Sequence, residues 1–249
     1  MRLNSNFSLP KLIGHRGVKD LKPENTLESI STAFDFGLEC IEIDVKISKD
    51  YIPILLHDDT LDRTTNGSGL VCDFTFDEIS QLDAGYYFYK LKTKVKVPSL
   101  ISVLELVKKK QKFLNIELKP NKKYEVLNVK KVLEEIKKTS YKNIFFSSFD
   151  LLSCVSLKES SPELLCGFLN DDFNKFSINE TVDICKKYNF FSCGINLNSF
   201  SNSIVNKFLE NEIQVTVYSD KNISEEQAQS LWSNNVTSIF VDDPTNYFK

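Results

Sequence analysis

The chain lacks the features that mark several common classes of protein. Its six cysteines form no C-x-x-C pair and no other zinc-ligand spacing, and a chain that is 41% hydrophobic has no need of a disulfide framework. No run approaches the roughly 20 apolar residues that cross a bilayer. Residues 1–10 lack the apolar stretch of a signal peptide, and a net charge of −3 does not indicate a nucleic-acid-binding surface. We therefore expect a cytoplasmic protein that neither binds nucleic acid nor inserts stably into a membrane.

Histidine and arginine are scarce, which makes their positions informative. Only two histidines occur among the 249 residues, His15 and His57, and each ends a short apolar run. Arginine is found only at positions 2, 16 and 63, although lysine and arginine together number 31. Arg16 directly follows His15, and the planar guanidinium fork suits phosphate binding. This pattern indicates acid–base chemistry on a phosphate.

Short apolar segments alternate with longer amphipathic segments along most of the chain. The predicted strands cover residues 11–15, 40–46, 113–118, 143–148, 164–169, 193–197, 213–219 and 237–242. The predicted helices cover residues 26–37, 100–111, 125–139, 150–160, 179–189, 201–211 and 224–234. Eight such units favour an α/β fold of the (β/α)8 TIM barrel type, with the active site at the carboxyl ends of the strands. An open doubly wound sheet is the alternative.

One stretch breaks the alternation. Residues 59–98 contain turn signals at Asn66-Gly67 and Ser68-Gly69 and show no clear helix–strand unit. We predict a single barrel domain over residues 9–249, with 59–98 as a small insertion after strand 2. The aromatic cluster Tyr86-Tyr-Phe-Tyr89 is expected to pack this insertion onto the barrel, with lining of a substrate pocket as the alternative.

Two carboxylates lie two residues apart in the strand-like run Ile41-Glu-Ile-Asp-Val45. Side chains at this spacing share one face of a strand, so Glu42 and Asp44 are expected to point together into the barrel. Paired buried carboxylates require neutralisation, and a hard divalent cation supplies it. A solvent-facing edge strand is the alternative.

A third acid ends the predicted strand at residues 113–118. Glu117 is expected to complete a three-carboxylate site, and Lys119 on the same face offers a fixed positive charge to a phosphate oxygen. A simple ion pair between Glu117 and Lys119 is the alternative.

Both histidines follow apolar segments, which places them near the catalytic rim if those segments are barrel strands. Imidazole is suited to proton transfer near neutral pH, although a structural histidine is the ordinary alternative. Metal ligation by His15 and His57 is disfavoured, because the carboxylates already satisfy a hard cation.

In Asn25-Thr-Leu-Glu28 the spacing predicts Asn25 as a helix cap.

Taken in order, these segments resemble the glycerophosphodiester phosphodiesterase family. The matching segments are Gly14-His-Arg-Gly17, Pro23-Glu-Asn-Thr26, Glu42-Ile-Asp44, His57-Asp58, Leu61-Asp-Arg-Thr-Thr-Asn-Gly67, Glu117-Leu-Lys119 and Val241-Asp-Asp-Pro244. Their order and spacing agree from about residue 11 to residue 247.

The resemblance implies a (β/α)8 barrel that hydrolyses small-molecule glycerophosphodiesters to sn-glycerol 3-phosphate and an alcohol. It implies one divalent cation, Mg²⁺ or Ca²⁺ with Mn²⁺ as a third choice, at Glu42, Asp44 and Glu117. His15 and His57 match the acid–base pair, whereas Arg16 and Lys119 match phosphate-binding residues. Tyr218 stands where many relatives carry tryptophan, and it implies an altered wall of the substrate pocket.

Two rival functions stay open. A related barrel phosphodiesterase acting on intact phospholipid needs an exposed apolar or basic rim, and no amphipathic basic segment is evident in the sequence. A catalytically silent binding module that keeps the fold is expected to lack a histidine or a carboxylate, and none is missing here. The head group, the native metal and the oligomeric state are not predicted.

Overall fold

The computed structural model describes residues 7–171 and 173–248. Within those ranges the chain forms nine strands: β1 (Leu12–Gly14), β2 (Cys40–Ile47), β3 (Pro53–Leu55), β4 (Phe113–Leu118), β5 (Ile144–Ser148), β6 (Cys166–Asn170), β7 (Ser192–Asn196), β8 (Gln214–Tyr218) and β9 (Ser238–Val241). All of these except β3 pair in parallel. The parallel pairing follows from the helices that connect successive strands.

The eight parallel strands close into a barrel. β1 pairs with β2 on one side, Gly14 opposite Ile41, and with β9 on the other, Ile13 opposite Phe240. This double pairing leaves β1 without a free edge and excludes the open doubly wound sheet. The predicted (β/α)8 TIM barrel is confirmed.

The described residues contain nine α-helices. They are α1 (Leu27–Asp35), α2 (Phe76–Gln81), α3 (Tyr86–Tyr89), α4 (Leu100–Lys110), α5 (Glu125–Thr139), α6 (Leu151–Ser160), α7 (Ile178–Tyr188), α8 (Asn202–Leu209) and α9 (Glu225–Ser233). Local signals set several of their ends: α7, for example, begins with a capping box between Ser177 and Glu180 and ends at Asn189 in the left-handed region. None of the described helices combines the length and apolarity needed to cross a membrane.

An insertion separates β2 from α4, as predicted for the segment after strand 2. It begins with β3, which pairs antiparallel with β2 so that Leu55 lies opposite Val45, and continues through α2 and α3. A small apolar cluster holds it together, with Ile54, Val71 and Ile79 fully buried. The proposed boundaries, 9–249 for the domain and 59–98 for the insertion, stay predictions, and residue 249 lies outside the described residues.

The barrel interior differs between its two ends. At the strand starts the ring of Phe7 lies among those of Phe113, Phe145 and Phe191, with centroids 5.5, 5.7 and 6.3 Å away. These rings fill the amino-terminal end of the barrel. The carboxyl end instead receives the inward-facing polar residues of β2 and β4, while the alternate residues of those strands pack beneath the helices.

Candidate active site at the carboxyl end of the barrel

Three carboxylates converge inside the barrel. Glu42 and Asp44 lie on β2, and Glu117 lies on β4 in register with Asp44. One ligand oxygen from each residue lies within 4.8 Å of the other two, and all three residues are buried. The structure therefore brings together the three acids that the sequence analysis selected as metal ligands.

Burial and neighbouring charges determine the protonation of this cluster. Burial, with the nearby negative charges of Asp44 and Glu117, raises the pKa of Glu42, and burial likewise raises the pKa of Glu117. Burial also opposes ionisation of Asp44, but Lys119 and Arg16 overcome it and hold the pKa of Asp44 below its ordinary value. The Oε1 atom of Glu42 is buried and has no hydrogen-bond partner. An unpaired carboxylate oxygen beside two further carboxylates suits a hard divalent cation.

Arg16 and Lys119 lie against the same carboxylates. The Nε atom of Arg16 is 3.2 Å from Oδ2 of Asp44. The Nζ atom of Lys119 is 2.9 Å from Oε1 of Glu117 and 3.3 Å from Oδ1 of Asp44. The ion pair between Lys119 and Glu117, considered above as the structural alternative, is thus present and is shared with Asp44. Because both cations also line the cavity described below, they present positive charge to a ligand there.

Asn25 orients Asp44 and does not cap a helix. Its Nδ2 atom donates to Oδ2 of Asp44 at 2.8 Å, and its Oδ1 atom accepts the Asp44 N–H at 3.0 Å. The predicted capping role is wrong, because Thr26 is the N-cap and accepts the N–H of Ser29. Asn25 has a left-handed φ of 57°, which asparagine tolerates better than most residues.

His15 is held by an aspartate from the adjacent barrel strand. It follows β1, its backbone N–H donates to the carbonyl of Val241 at 2.9 Å, and its Nδ1 atom lies 2.7 Å from Oδ1 of Asp242. A carboxylate only accepts hydrogen bonds, so Nδ1 carries the proton and Nε2 is the nitrogen free to accept one. Burial lowers the pKa of His15, and Asp242 offsets part of that shift.

Asp242 was not identified as functional from the sequence alone. The available signal was its place in Val241-Asp-Asp-Pro244, directly after an apolar segment. That segment is β9, whose pairing with β1 brings Asp242 beside His15 across a separation of 227 residues. The first and last strands of a closed barrel are neighbours, and from this the position of Asp242 beside His15 could have been inferred.

His57 reaches the site by a different route. It follows β3, which is not one of the eight parallel barrel strands: the apolar run before His57 pairs antiparallel with β2 and returns the chain toward Asp44. Its Nδ1 atom lies 2.6 Å from Oδ1 of the next residue, Asp58. Burial lowers the pKa of His57, and the positive charges of Lys119 and Arg16 add to this shift.

Arg63 connects the support of His57 to the barrel. Its Nε atom donates to Oδ2 of Asp58 at 2.6 Å, while its two terminal nitrogens donate to Glu24 at 2.7 and 2.8 Å. Glu24 lies in the loop between β1 and α1 and also accepts a hydrogen bond from Arg16 at 2.8 Å. A continuous chain of charge-assisted hydrogen bonds therefore runs from His57 to Arg16.

Lys46 anchors the backbone beside His57. It lies on the same face of β2 as Cys40, Glu42 and Asp44 and is fully buried. Its Nζ atom donates to the carbonyl oxygen of Asp58 and lies 3.1 Å from Oδ1 of Asp59. Burial lowers the pKa of Lys46. Sequence reasoning missed this residue as well as Arg63 and Glu24, because neither periodicity nor spacing tells which side chains pair across the insertion.

A cavity of about 400 Å³ lies over the carboxylates, and both histidines line it. Its polar wall also carries Arg16, Glu42, Glu117 and Lys119, whereas its apolar wall is formed by Phe149, Leu169, Tyr218 and Phe240. The ring of Tyr218 packs edge-on against Phe149 at 5.5 Å, and its role as a wall of the substrate pocket stays a prediction. The polar lining residues suit a phosphodiester, and the apolar ones suit carbon-bound substituents.

Comparisons with known proteins agree with this arrangement. The model of the glycerophosphoryl diester phosphodiesterase family matches residues 15–246. A glycerophosphodiester phosphodiesterase from Bacillus altitudinis is 30% identical over 97% of this chain and 98% of its own length. A second, from Caldanaerobacter subterraneus subsp. tengcongensis, is 37% identical over 64% of this chain and 65% of its own length.

A solved structure shares the whole fold. The Oleispira antarctica phosphodiesterase OLEI02445, whose structure is in complex with the product sn-glycerol-3-phosphate, is 29% identical, with a TM-score of 0.88 over 94% of this chain and 93% of its own. The family match covers nearly all of the barrel and both histidines, which confirms the resemblance identified from the sequence. The chain belongs to the glycerophosphoryl diester phosphodiesterase family.

Proposed function

We propose that this chain hydrolyses glycerophosphodiesters to sn-glycerol 3-phosphate and an alcohol, using one divalent cation and the pair His15 and His57. The overall reaction follows from family membership: the chain is a glycerophosphodiester phosphodiesterase, as its full-length relative from Bacillus altitudinis is named. The Oleispira enzyme, solved with sn-glycerol-3-phosphate, supports the same small-molecule ligand here.

One observation carries the proposed chemistry. Two imidazoles, the side chains of Arg16 and Lys119 and a three-carboxylate cluster lie at a single cavity. General acid–base catalysis requires one group to remove a proton and another to donate one, and the two histidines supply such a pair.

The donor set fits a divalent cation. Glu42, Asp44 and Glu117 would hold it, because all three offer oxygen ligands and Glu42 Oε1 is otherwise unpaired. Mg²⁺ or Ca²⁺ matches this all-oxygen set, with Mn²⁺ as a third choice. When bound, such an ion offsets negative charge on phosphoryl oxygens and acidifies a neighbouring hydroxyl.

His15 acts as the base in the first step. Its Nε2 accepts the proton of the glycerol 2-hydroxyl while that oxygen bonds to phosphorus, and the bond from phosphorus to the leaving alcohol breaks. His57 donates a proton to the departing oxygen. Arg16 and Lys119 stabilise the charge on the phosphoryl oxygens.

The second step restores both histidines. His57 accepts a proton from water as water attacks the cyclic phosphate, and His15 returns its proton to the 2-hydroxyl oxygen. The product is sn-glycerol 3-phosphate. Phosphorus NMR during turnover distinguishes this route from direct attack by water, since only the two-step route passes through a cyclic phosphate.

The test is product release by the purified chain from a panel of glycerophosphodiesters with Mg²⁺, Ca²⁺, Mn²⁺ or EDTA. We expect glycerol 3-phosphate with at least one cation and loss of turnover in EDTA. Full activity in EDTA would refute the cation, and absence of glycerol 3-phosphate with every substrate and cation would refute the reaction.

A matched pair of variants locates the cation. Glu42→Gln removes the charge of a proposed ligand, whereas Glu159→Gln removes one charge from the exposed surface of α6. We expect the cation concentration for half-maximal activity to rise by at least tenfold in Glu42→Gln only, because the number of charged carboxylate ligands controls the affinity for the cation.

A further inference from the structure

We propose that the outer part of the insertion, residues 86–96, is a docking surface for anionic lipid bilayers. The tip surface, as we call these residues, comprises α3 and the irregular segment that follows it. This surface is not evident from the sequence, because its basic residues are not arranged on an amphipathic helix.

The tip surface exposes a concentration of apolar and aromatic side chains. Ten large hydrophobic side chains are exposed within the described residues, and four of them lie in this short segment: Tyr86, Tyr87, Phe88 and Leu91, exposed by 41, 53, 40 and 58%. The first three residues of the aromatic cluster are thus half-exposed, and the packing of the cluster onto the barrel stays a prediction for them. Isolated exposed apolar residues are normal, whereas a cluster indicates an interaction site.

The same segment carries a local excess of positive charge. Lys90, Lys92, Lys94 and Lys96 are all exposed, and no aspartate or glutamate occurs from residue 84 to residue 104. The chain as a whole has a net charge of −3, so this excess is local. Clustered lysines beside exposed aromatic side chains match the charge and chemistry of an anionic lipid surface.

Several contacts hold the tip surface in place. Asp83 accepts hydrogen bonds from the backbone and the hydroxyl of Thr93, and the N–H of Ala84 donates to the carbonyl of Val95 at 2.9 Å. The hydroxyl of Tyr89 donates to Glu28 on α1 at 2.7 Å. The exposed side chains therefore project from a segment tied both to itself and to the barrel.

The tip surface lies close to the mouth of the active-site cavity. Tyr87 and Phe88 line a second cavity of about 220 Å³ together with Lys19 and Arg63. Lys19 also lines the active-site cavity, so the two are adjacent. Docking would bring that mouth to the membrane surface, where removal of acyl chains from phospholipids releases glycerophosphodiesters.

A lipid surface fits these residues better than other partners. A symmetric contact between two copies would oppose the same four lysines and be repelled. Single-stranded nucleic acid would use the lysines and aromatic rings, but Leu91, the most exposed of the apolar group, offers no face for base stacking. A membrane interface accepts leucine, aromatic and lysine side chains together.

The experiment is co-sedimentation of the full chain with vesicles of phosphatidylcholine alone or with added phosphatidylglycerol. We expect binding only when phosphatidylglycerol is present, and loss of binding at about 0.5 M salt, where charge attraction is screened. Replacing Lys90, Lys92, Lys94 and Lys96 by glutamine should weaken the partition coefficient about 600-fold, since each lysine near an anionic surface contributes about fivefold.

A matched variant controls for net charge. Lys109, Lys130, Lys137 and Lys207 are exposed lysines outside the tip surface, and replacing them by glutamine removes the same four charges. We expect this control to change partitioning by less than about threefold. A thermal unfolding curve for each variant establishes that it is folded.

The apolar half of the tip surface is tested by Tyr87→Ser combined with Leu91→Ser, which should weaken binding about tenfold because less apolar area enters the interface.

The proposal would be overturned by equal binding to both vesicle types, by an equal loss in the two lysine variants, or by salt-resistant dimerisation through the tip surface. So would tighter binding to a single-stranded oligonucleotide than to the anionic vesicles. None of these measurements uses turnover, so they are independent of the proposed reaction.

Discussion

The two histidines are supported by different parts of the molecule. His15 follows a barrel strand and is held by Asp242 from the adjacent strand, whereas His57 lies on the insertion and is held by its own neighbour, Asp58. The side chain of His15 is 15% exposed and that of His57 is 29% exposed. The barrel closure itself fixes one half of the site, while the other half depends on Arg63 and its ion pairs to the loop between β1 and α1. Catalytic geometry on the insertion side is therefore the easier of the two to alter.

The largest effects are expected from removing either imidazole. His15→Ala and His57→Ala should each lower kcat by about 10² to 10⁴, because each removes one partner of the acid–base pair. Steady-state kinetics on glycerophosphocholine measures both. A loss below fivefold in either variant would remove that histidine from the chemistry.

Asp242→Asn should break the barrel-side support. An amide can donate to Nδ1 of His15, which would move the imidazole proton to Nε2 and leave the base in the wrong tautomer. We expect kcat to fall about 100-fold, with little change in KM. Asp243→Asn is the control, since that carboxylate accepts only the backbone N–H of Thr245 among the contacts described. An equal loss in the two variants would indicate a general structural effect.

Arg63→Lys should weaken the insertion-side support more mildly. Lysine cannot reproduce the fork that binds Asp58 and Glu24 together, so His57 loses orientation but keeps its carboxylate partner. We expect about a tenfold fall in kcat.

Lys110→Met is the control for Arg63→Lys, because it breaks an exposed ion pair with Asp35, and such pairs contribute little. Wild-type kcat in Arg63→Lys would contradict the difference between the two supports.

The pH profile gives a smaller, graded test. Burial lowers the pKa of both histidines, so at a given pH a smaller fraction of each is protonated in the fold than of a free imidazole, whose pKa is about 6.5. The base His15 thus stays active to lower pH, and the acid His57 loses its proton at lower pH. The acidic limb of kcat/KM should therefore lie below pH 6.5. Because Asp242 raises the pKa of His15, Asp242→Asn should move the acidic limb of the kcat/KM profile, which His15 sets, to still lower pH.

The same shifts predict how stability depends on pH. Between the lowered pKa values of the folded state and about 6.5, the unfolded chain binds more protons, so folding is favoured fully only above this window. The contribution of the two histidines to the free energy of unfolding should decrease as pH falls through the window. Chemical denaturation of the wild type and of the His15→Ala, His57→Ala double variant at several pH values measures it as a difference, from which the opposite contribution of Glu42 and Glu117, whose pKa values are raised, cancels. An increase in that difference over the same interval would contradict the burial of the imidazoles.

The smallest effects are expected from substitutions outside the site, one in the insertion and one in the barrel. Thr75 and Ser177 form equivalent capping boxes, on α2 of the insertion and on α7 of the barrel. Alanine at either position should cost about 1 kcal/mol. In hydrogen exchange, Thr75→Ala should reduce protection within the insertion, whereas Ser177→Ala should lower the unfolding temperature of the whole barrel. Identical exchange patterns would show that the two regions unfold as one unit.

The sequence predicted the barrel because its strands and helices are locally encoded. Alternation in Ile41-Glu-Ile-Asp-Val45 places Ile43 beneath the helices and Glu42 and Asp44 inside, and the structure agrees. The site acids were found for the same reason. They end strands, and parallel strands in a barrel deliver their carboxyl ends to one rim.

The partners of those residues were not predictable in the same way. The pairs formed by Asp242 with His15 and by Asn25 with Asp44 depend on strand order and on a left-handed turn, neither of which is visible in a periodic pattern. β3 was also missed as an antiparallel strand, because a three-residue apolar run has no directional signal.

The phenylalanine rings at the amino-terminal end of the barrel bear on product release. With that end filled, reactants and products have to pass through the same mouth, on the side where the insertion lies. Glycerol 3-phosphate left in the cavity would block entry of the next diester, so the enzyme should show competitive product inhibition and slow markedly as its own product accumulates.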